Sequence, residues 1–239
     1  MPQKPIDVSI VVCTLNEEKR IQDCLEHLRA QRFLGSFEII VADGTSEDKT
    51  VEMAKPLADK IVLEKVRRIS VERQAGAKAA SGQLLLFTDA DTKAPTDWVQ
   101  KAWNIFEKHP EVVLAYGPTF LHDASESEQR LAKIVMPVFM QGFHWLGLFS
   151  PIGSNLAIKK TVFEKIGGFN TRLVTCEDLD LAKRAQKFGK LWFDSQWVMK
   201  VSGRRVKKWG YLKFSLFHLW NGIHFHFSGK SNEQYENVR

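Results

Sequence analysis

Gln83–Thr92 reads QLLLFTDADT, and the fold class turns on it. Leu84 to Phe87 form an unbroken apolar run, suited to a strand buried on both faces. Asp89 and Asp91 follow at i and i+2 around Ala90. At a strand end alternate residues point the same way, so both carboxylates face one crevice. Two carboxylates that close repel unless a cation or a hydrogen-bonded hydroxyl lies between them. Mg²⁺ or Mn²⁺ carrying a diphosphate suits the pair, because these ions take one or two carboxylates together with phosphate oxygens. A polar loop with two solvated acids is the plain alternative, and the flanking sequence decides between the two.

Upstream, Val8–Cys13 (VSIVVC) is a β-branched run, followed by Thr14-Leu15-Asn16-Glu17-Glu18 and by Ile21, Leu25 and Leu28 at helical spacing. Phe37–Ala42 predicts a second strand ending in Asp43-Gly44-Thr45-Ser46. Glu47–Leu57 reads as a helix, Lys60–Leu63 as a third strand, and Ser70–Ala80 as a small-residue helix punctuated by Gly82. Strand and helix alternating in this way define a parallel, doubly wound α/β half, in which ligands bind beyond the carboxyl ends of the strands. Thr14/Asn16/Glu17, Asp43 and Asp89/Asp91 all fall at such ends, where a carboxylate can accept from a base N–H or ribose hydroxyls. Asn16 and Asp43 also suit helix starts, yet a shared ligand accounts for all three ends at once. No G-x-G-x-x-G follows the first strand and no G-x-x-x-x-G-K-[ST] occurs, so the dinucleotide and P-loop fingerprints are both missing.

At 239 residues, 44% hydrophobic and 26% charged, the chain is long enough for one large domain with a real core, or one domain with an appendage. The odd count of three cysteines, with no C-x-x-C pair, argues against a disulfide framework and a zinc site and favours a reducing compartment. The first apolar run is too short for a signal peptide. The net charge of +6 is unevenly placed: Lys183 to Lys213 holds ten cations against Asp194 alone. Such an excess predicts an anionic partner: diphosphate, phospholipid headgroup or nucleic acid.

Past Asp91 the pattern changes. Asp97–Lys108 is an amphipathic helix and Val112–Phe120 reads as one strand. Leu131–Phe149 is rich in apolar and aromatic residues but interrupted by Lys133, Pro137, Gln141 and His144, which suits an interfacial helix or one lining an acceptor cleft rather than a membrane span. Gly153-Ser154-Asn155 leads into a short strand at Leu156–Ile158, and Lys159–Phe169 reads as a helix closed by Gly167-Gly168. Thr175-Cys176-Glu177-Asp178 opens a helix running to about Phe188, where acids in the first turn complement the macrodipole. A strand-like run lies in Leu191–Val201. Ser202–Gly210 (SGRRVKKWG) and Tyr211–Phe227 close the chain with cations, aromatics and histidines that lack metal-ligand spacing.

VSIVVCTLNEE, VADGTSEDKT, RQAGAKAASGQLLLFTDADT, GSNLAIKKTVFEKIGGFN and EDLDL, in that order, resemble the family 2 glycosyltransferases of GT-A fold over Val8 to about Leu181. The resemblance implies an α/β GT-A fold: a Rossmann-like, mostly parallel sheet flanked by helices. A glycosyltransferase domain would span 1–203, with a nucleotide-sugar half at about 1–92, an acceptor half at about 93–203, and a C-terminal amphipathic segment at 204–239. It further implies that Thr14, Asn16, Glu17, Asp43, Gly44, Arg73, Gly76, Asp89 and Ala90 meet the nucleotide sugar, and that Asp91, with Asp89, holds Mn²⁺ or Mg²⁺. Asp178 would be the catalytic base with Glu177 beside it toward the acceptor; Gly153, Ser154, Asn155, Arg204, Arg205 and Trp209 would lie on the acceptor and diphosphate side. Processive members carry a Q-x-x-R-W element; RVKKW at Arg205–Trp209 keeps the tryptophan and a cation but loses the glutamine and arginine, which speaks against processivity. With one carboxylate as base and no second placed as nucleophile, the expected outcome is inversion. The expected donor is UDP- or GDP-linked. The expected acceptor is a glycan or lipid-linked, met at the cytoplasmic membrane face by peripheral association with anionic lipid. Nucleic acid is not an expected partner, since the acids of the first half would repel its phosphates.

Overall fold

The computed structural model describes residues 5–232; residues 1–4, and 233–239 of the expected C-terminal segment, lie outside the described residues. A seven-stranded sheet in the order β3-β2-β1-β4-β8-β6-β9 forms the centre. Its strands are β1 (Val8–Thr14), β2 (Phe37–Asp43), β3 (Lys60–Leu63), β4 (Leu84–Asp89), β6 (Val112–Tyr116), β8 (Leu156–Lys159) and β9 (Lys190–Phe193). Every pairing is parallel except those of β8 with β4 and β6, so β8 alone runs against the rest. The helices are α1 (Ile21–Arg29), α2 (Thr50–Ala54), α3 (Ile69–Lys78), α4 (Trp98–Lys108), α5 (Glu126–Trp145), α6 (Lys160–Lys165), α7 (Glu177–Ala185), α8 (Arg204–Trp209) and α9 (Tyr211–Ser228). A small second sheet joins β5 (Thr92–Lys93), β10 (Met199–Val201) and β7 (Thr119–Leu121).

Alternation along the strands builds two cores, one on each sheet face. Ile10 and Val12 of β1 pack with Ile21 and Leu25 of α1 and Trp98 of α4. Val11 and Cys13 face the other way, with Ala77 of α3, Phe163 of α6 and Leu181 of α7. Gly76 permits the closest of these contacts, because a Cβ there would lie 2.4 Å from Val11 Cγ1. Its role in this structure is to seat α3 on β1.

Four readings of the sequence are corrected here. Glu47–Leu57 is helical only over Thr50–Ala54, because the Glu47 amide donates to Asn16 Oδ1 and the Thr50 amide to Asp48 Oδ1, which holds the lead-in as a turn. Val112–Phe120 divides into β6 and β7 at Gly117-Pro118, where a Cβ on Gly117 would strike the Trp197 carbonyl. The helix expected over Lys159–Phe169 ends at Lys165, and Gly167 and Gly168 follow at positive φ. The helix expected from Leu131 begins at Glu126, where Ser125 and Glu128 close a capping box.

Candidate active site

The pairing registers set Thr14 level with Asp43 and Cys13 level with Asp89, so β1, β2 and β4 end at one edge. The strand order reverses between β1 and β4, which makes this edge a topological switch point. Because β8 runs the other way, its first residue, Leu156, lies opposite Phe87 and Tyr116. The loop Gly153–Asn155 is thereby brought to the same edge. Three non-glycine residues with positive φ, Asn16, Thr45 and Cys176, stand in the turns leaving β1 and β2 and entering α7. Such strain persists where the surrounding structure over-determines the backbone.

Arg73 ties the end of β4 to the start of α7. Its side chain is 5% exposed; one guanidinium nitrogen donates to Glu177, and the other lies 3.0 Å from Asp89 Oδ1. Burial pulls its pKa down, and the Asp89 and Glu177 carboxylates more than reverse that pull, so it stays charged. A Cβ on Gly153 would sit 2.1 Å from Arg73 Nη1, so a side chain there would displace the guanidinium. The Gly153 amide donates to Asp178 Oδ2 at 2.9 Å, and the Leu179 amide to Asp178 Oδ1 at 2.7 Å. Burial raises the pKa of both acids of the pair, Glu177 to about 7 with the Asp178 charge adding to the effect.

A second cluster adjoins the first through Asp89 and Asp91. Arg204, the first residue of α8, donates to both carboxylate oxygens of Glu17, Oε2 at 2.9 Å, and its Nη2 lies 3.1 Å from Asp91 Oδ2. The Asp91 carboxyl is pushed up to about 6 by burial, opposed by Arg204 and reinforced by Asp89 and Glu17. The sequence reading placed Arg204 on the diphosphate side and missed this bridge. Nothing local signals a contact between residues 187 positions apart.

Other expected site residues are placed as follows. The Thr14 hydroxyl is buried with no hydrogen-bond partner among the described residues, an acceptor and donor available at the end of β1. The Asp43 carboxylate is buried and accepts from the Ser46 amide and hydroxyl, at 2.7 and 2.5 Å. Ala90 is buried with its amide on the Cys13 carbonyl, and a Cβ on Gly44 would meet Glu72 Oε1 at 2.6 Å. The Asn155 side chain is engaged in packing: its Oδ1 accepts from Trp98 Nε1 and its Nδ2 donates to the Trp197 and Pro118 carbonyls, beside a buried stack of the two tryptophans. Ser154 is buried beside it. Trp209 packs edge-on to Phe217 of α9 with Lys213 over its ring, and Arg205 precedes the buried Val206 on α8.

Among the described residues no three His, Cys, Asp or Glu side chains are assembled as a metal cage. Asp89 and Asp91 nevertheless fit a divalent cation that brings phosphate oxygens with it, because such ions need only one or two protein carboxylates. That Asp91 and Glu17 already draw a guanidinium shows the site favours positive charge.

A mostly parallel sheet with acids at its switch point and a reversed strand completing the edge is the GT-A class of α/β fold. Solved structures share it. A mannosyltransferase from Pyrobaculum calidifontis, in complex with GDP-mannose and Mn²⁺, superimposes with a TM-score of 0.72 over 97% of this chain and 67% of that one, at 21% identity. Glucosyl-3-phosphoglycerate synthase from Mycobacterium tuberculosis, with Mn²⁺, UDP and its product, gives 0.62 over 95% and 82%, at 16% identity. The chain belongs to glycosyl transferase family 2, whose model matches residues 9–167. Among curated relatives, a glucosyl-dolichyl phosphate glucuronosyltransferase of Haloferax volcanii is 28% identical over 183 residues, covering 69% of this chain and 56% of the relative. An uncharacterized glycosyltransferase of Haemophilus influenzae is 28% identical over 177 residues, covering 72% and 60%. The chain thus spans about three-fifths of the length of the curated relatives it matches.

Proposed function

We propose that this glycosyltransferase moves a sugar from a UDP- or GDP-linked donor to a lipid-linked acceptor, with inversion and with the help of a divalent metal. The observation that carries the reading is the Arg73 bridge, which joins Asp89 at the end of β4 to Glu177, next to Asp178, at the start of α7; in this reading the first is the donor side and the second the acceptor side. The solved mannosyltransferase and synthase hold a nucleotide or nucleotide sugar with Mn²⁺ on the same fold, and relatives named for dolichyl phosphate-linked substrates support the acceptor class.

Thr14, Asn16 and Asp43 border the nucleotide, and Asp89 with Asp91 would hold the metal on its diphosphate. The metal, when bound, supplies charge stabilisation to the departing diphosphate. Asp178 takes the proton of the acceptor hydroxyl as that oxygen attacks the anomeric carbon from the face opposite the leaving group. The Gly153 and Leu179 amides hold its two oxygens, fixing the carboxylate's orientation before the acceptor arrives. Arg204, paired here with Glu17 and Asp91, would supply a further cation beside the diphosphate.

The test is turnover with Mn²⁺ and the product's anomeric configuration by NMR. Asp91→Ala is expected to abolish transfer and the metal-dependent part of nucleotide binding, while Asp91→Asn keeps the fold but loses the metal response. Near-normal turnover of Asp91→Asn in Mn²⁺ contradicts the metal assignment, and a product of retained configuration contradicts the single-displacement reading.

A further inference from the structure

The catalytic cleft leaves two long helices unexplained. Helix α5 buries Met140 alone, and Leu131, Ile134, Val135, Val138, Trp145 and Leu146 are exposed, with Ile134 at 70% and Trp145 at 80%. Their spacing of three and four residues puts them on one stripe of a helix about 30 Å long. On α9 the exposed set is Leu212, Leu216, Leu219, Trp220 and Phe227, again at helical spacing, while Asn221 and Phe225 face inward. The two helices are tied near both ends. Tyr211, at the start of α9, bonds Glu128 in the first turn of α5, and His226, near its end, bonds the Phe149 carbonyl just past α5. Neither stripe is packed into the core.

We infer that α5 and α9 together form a docking platform for an anionic lipid leaflet, which presents a lipid-borne acceptor to Asp178. The second clause rests on the transferase reading above; the first does not. Three observations favour a leaflet as the occupant. No acidic residue occurs in 131–149 or in 207–232, whereas Lys133, Lys207, Lys208, Lys213 and Lys230 do. Lys213 lies on the same side of α9 as Leu216 and Trp220, at i+3 and i+7, so cation and apolar surface face one partner. Trp145, Trp220 and Tyr211 are exposed, and such rings favour the headgroup level. Among the described residues no helix is long and apolar enough to cross a membrane, which leaves a surface that lies in the interface plane.

The platform is joined to the chemistry. Asn221, from the inward face of α9, donates to Thr175 Oγ1 at 3.0 Å in the turn that leads into Glu177 and Asp178. The loop after α5 continues through Phe149 and Ile152 to Gly153, whose amide holds Asp178. A leaflet on α5 and α9 therefore lies at the acceptor side of the cleft.

The experiment is flotation of the full chain with vesicles of neutral lipid alone and of neutral lipid with phosphatidylglycerol, across a salt series, with light scattering for the mass in solution. Binding to the anionic vesicles that weakens with salt is expected. Lys208→Gln, Lys213→Gln and Lys230→Gln together should weaken it by about two orders of magnitude, each near-surface cation being worth roughly fivefold. Ile134→Glu with Leu216→Glu should abolish it with the melting temperature kept, because both side chains are exposed. Absence of flotation at low salt, or flotation indifferent to these substitutions, overturns the inference. So does a dimer in solution that Ile134→Glu and Leu216→Glu dissociate, since the stripes would then belong to a second copy. Nucleotide-sugar binding, measured without lipid, stands or falls independently and separates failure of the platform from failure of the transferase reading.

Discussion

Asp178→Asn should cut turnover by roughly 10²–10⁴-fold, the usual worth of a positioned base, while leaving donor affinity nearly unchanged. The substitution keeps the shape of the side chain and removes its capacity to take a proton, at the cost of one of the two bonds accepted from the Gly153 and Leu179 amides, because an NH2 cannot accept. Glu177→Gln should do less damage, because its carboxylate is committed to Arg73. The pH profile gives a second readout. The base must be ionised, and burial raises the Asp178 carboxyl above the usual carboxylate range, so the rate should fall as pH drops, and at a higher pH than for a solvated carboxylate. If Glu177→Gln proves far more harmful to kcat than Asp178→Asn, the roles within the pair are reversed.

Arg73→Met should be the most destabilising single change in the site. The arginine is buried, and its removal strands Glu177 and Asp89 without a partner. Breaking one side of a buried ion pair costs about 3–5 kcal/mol, and in a chain of this size that lowers Tm by roughly 10 °C. Adding Glu177→Gln to Arg73→Met should restore part of the loss, since the stranded charge is then gone. A variant Arg73→Met that melts with the wild type at neutral pH contradicts the view that one guanidinium holds the two sides together. Arg73→Lys is expected to fall between them, because an ammonium lacks the fork that reaches both acids.

The first half of the fold was legible because each cue there is local. Val8–Cys13, Phe37–Ala42 and Leu84–Phe87 are short apolar runs that end in polar turns, and all three are strands. The carboxylates at their ends follow from chain order alone. What escaped reading depends on distant partners. The direction of β8 is fixed by its antiparallel pairing with β4 and β6, while Leu156–Lys159 carries no sign of direction. The engagement of the Asn155 amide by Trp98 and Trp197, brought together by tertiary packing, has no local sign. Arg204 looked like one cation in a basic run, and only the folded chain shows which of that run turns inward to Glu17 and Asp91. The start of α5 was legible in principle, since Ser125 and Glu128 spell a capping box ahead of the apolar run.

The central claim is that the acids at the β1–β4 switch point hold a nucleotide sugar through a metal. Thermal melting with UDP-, GDP- and dTDP-sugars, with and without Mn²⁺, for the wild type and Asp91→Asn, tests it most directly. A ligand at 100 times its Kd adds about 2.7 kcal/mol of stability, an easily seen shift. A rise for UDP- or GDP-sugars that needs Mn²⁺ and vanishes in Asp91→Asn is the predicted result; no rise with any donor, or one indifferent to both metal and substitution, contradicts the account.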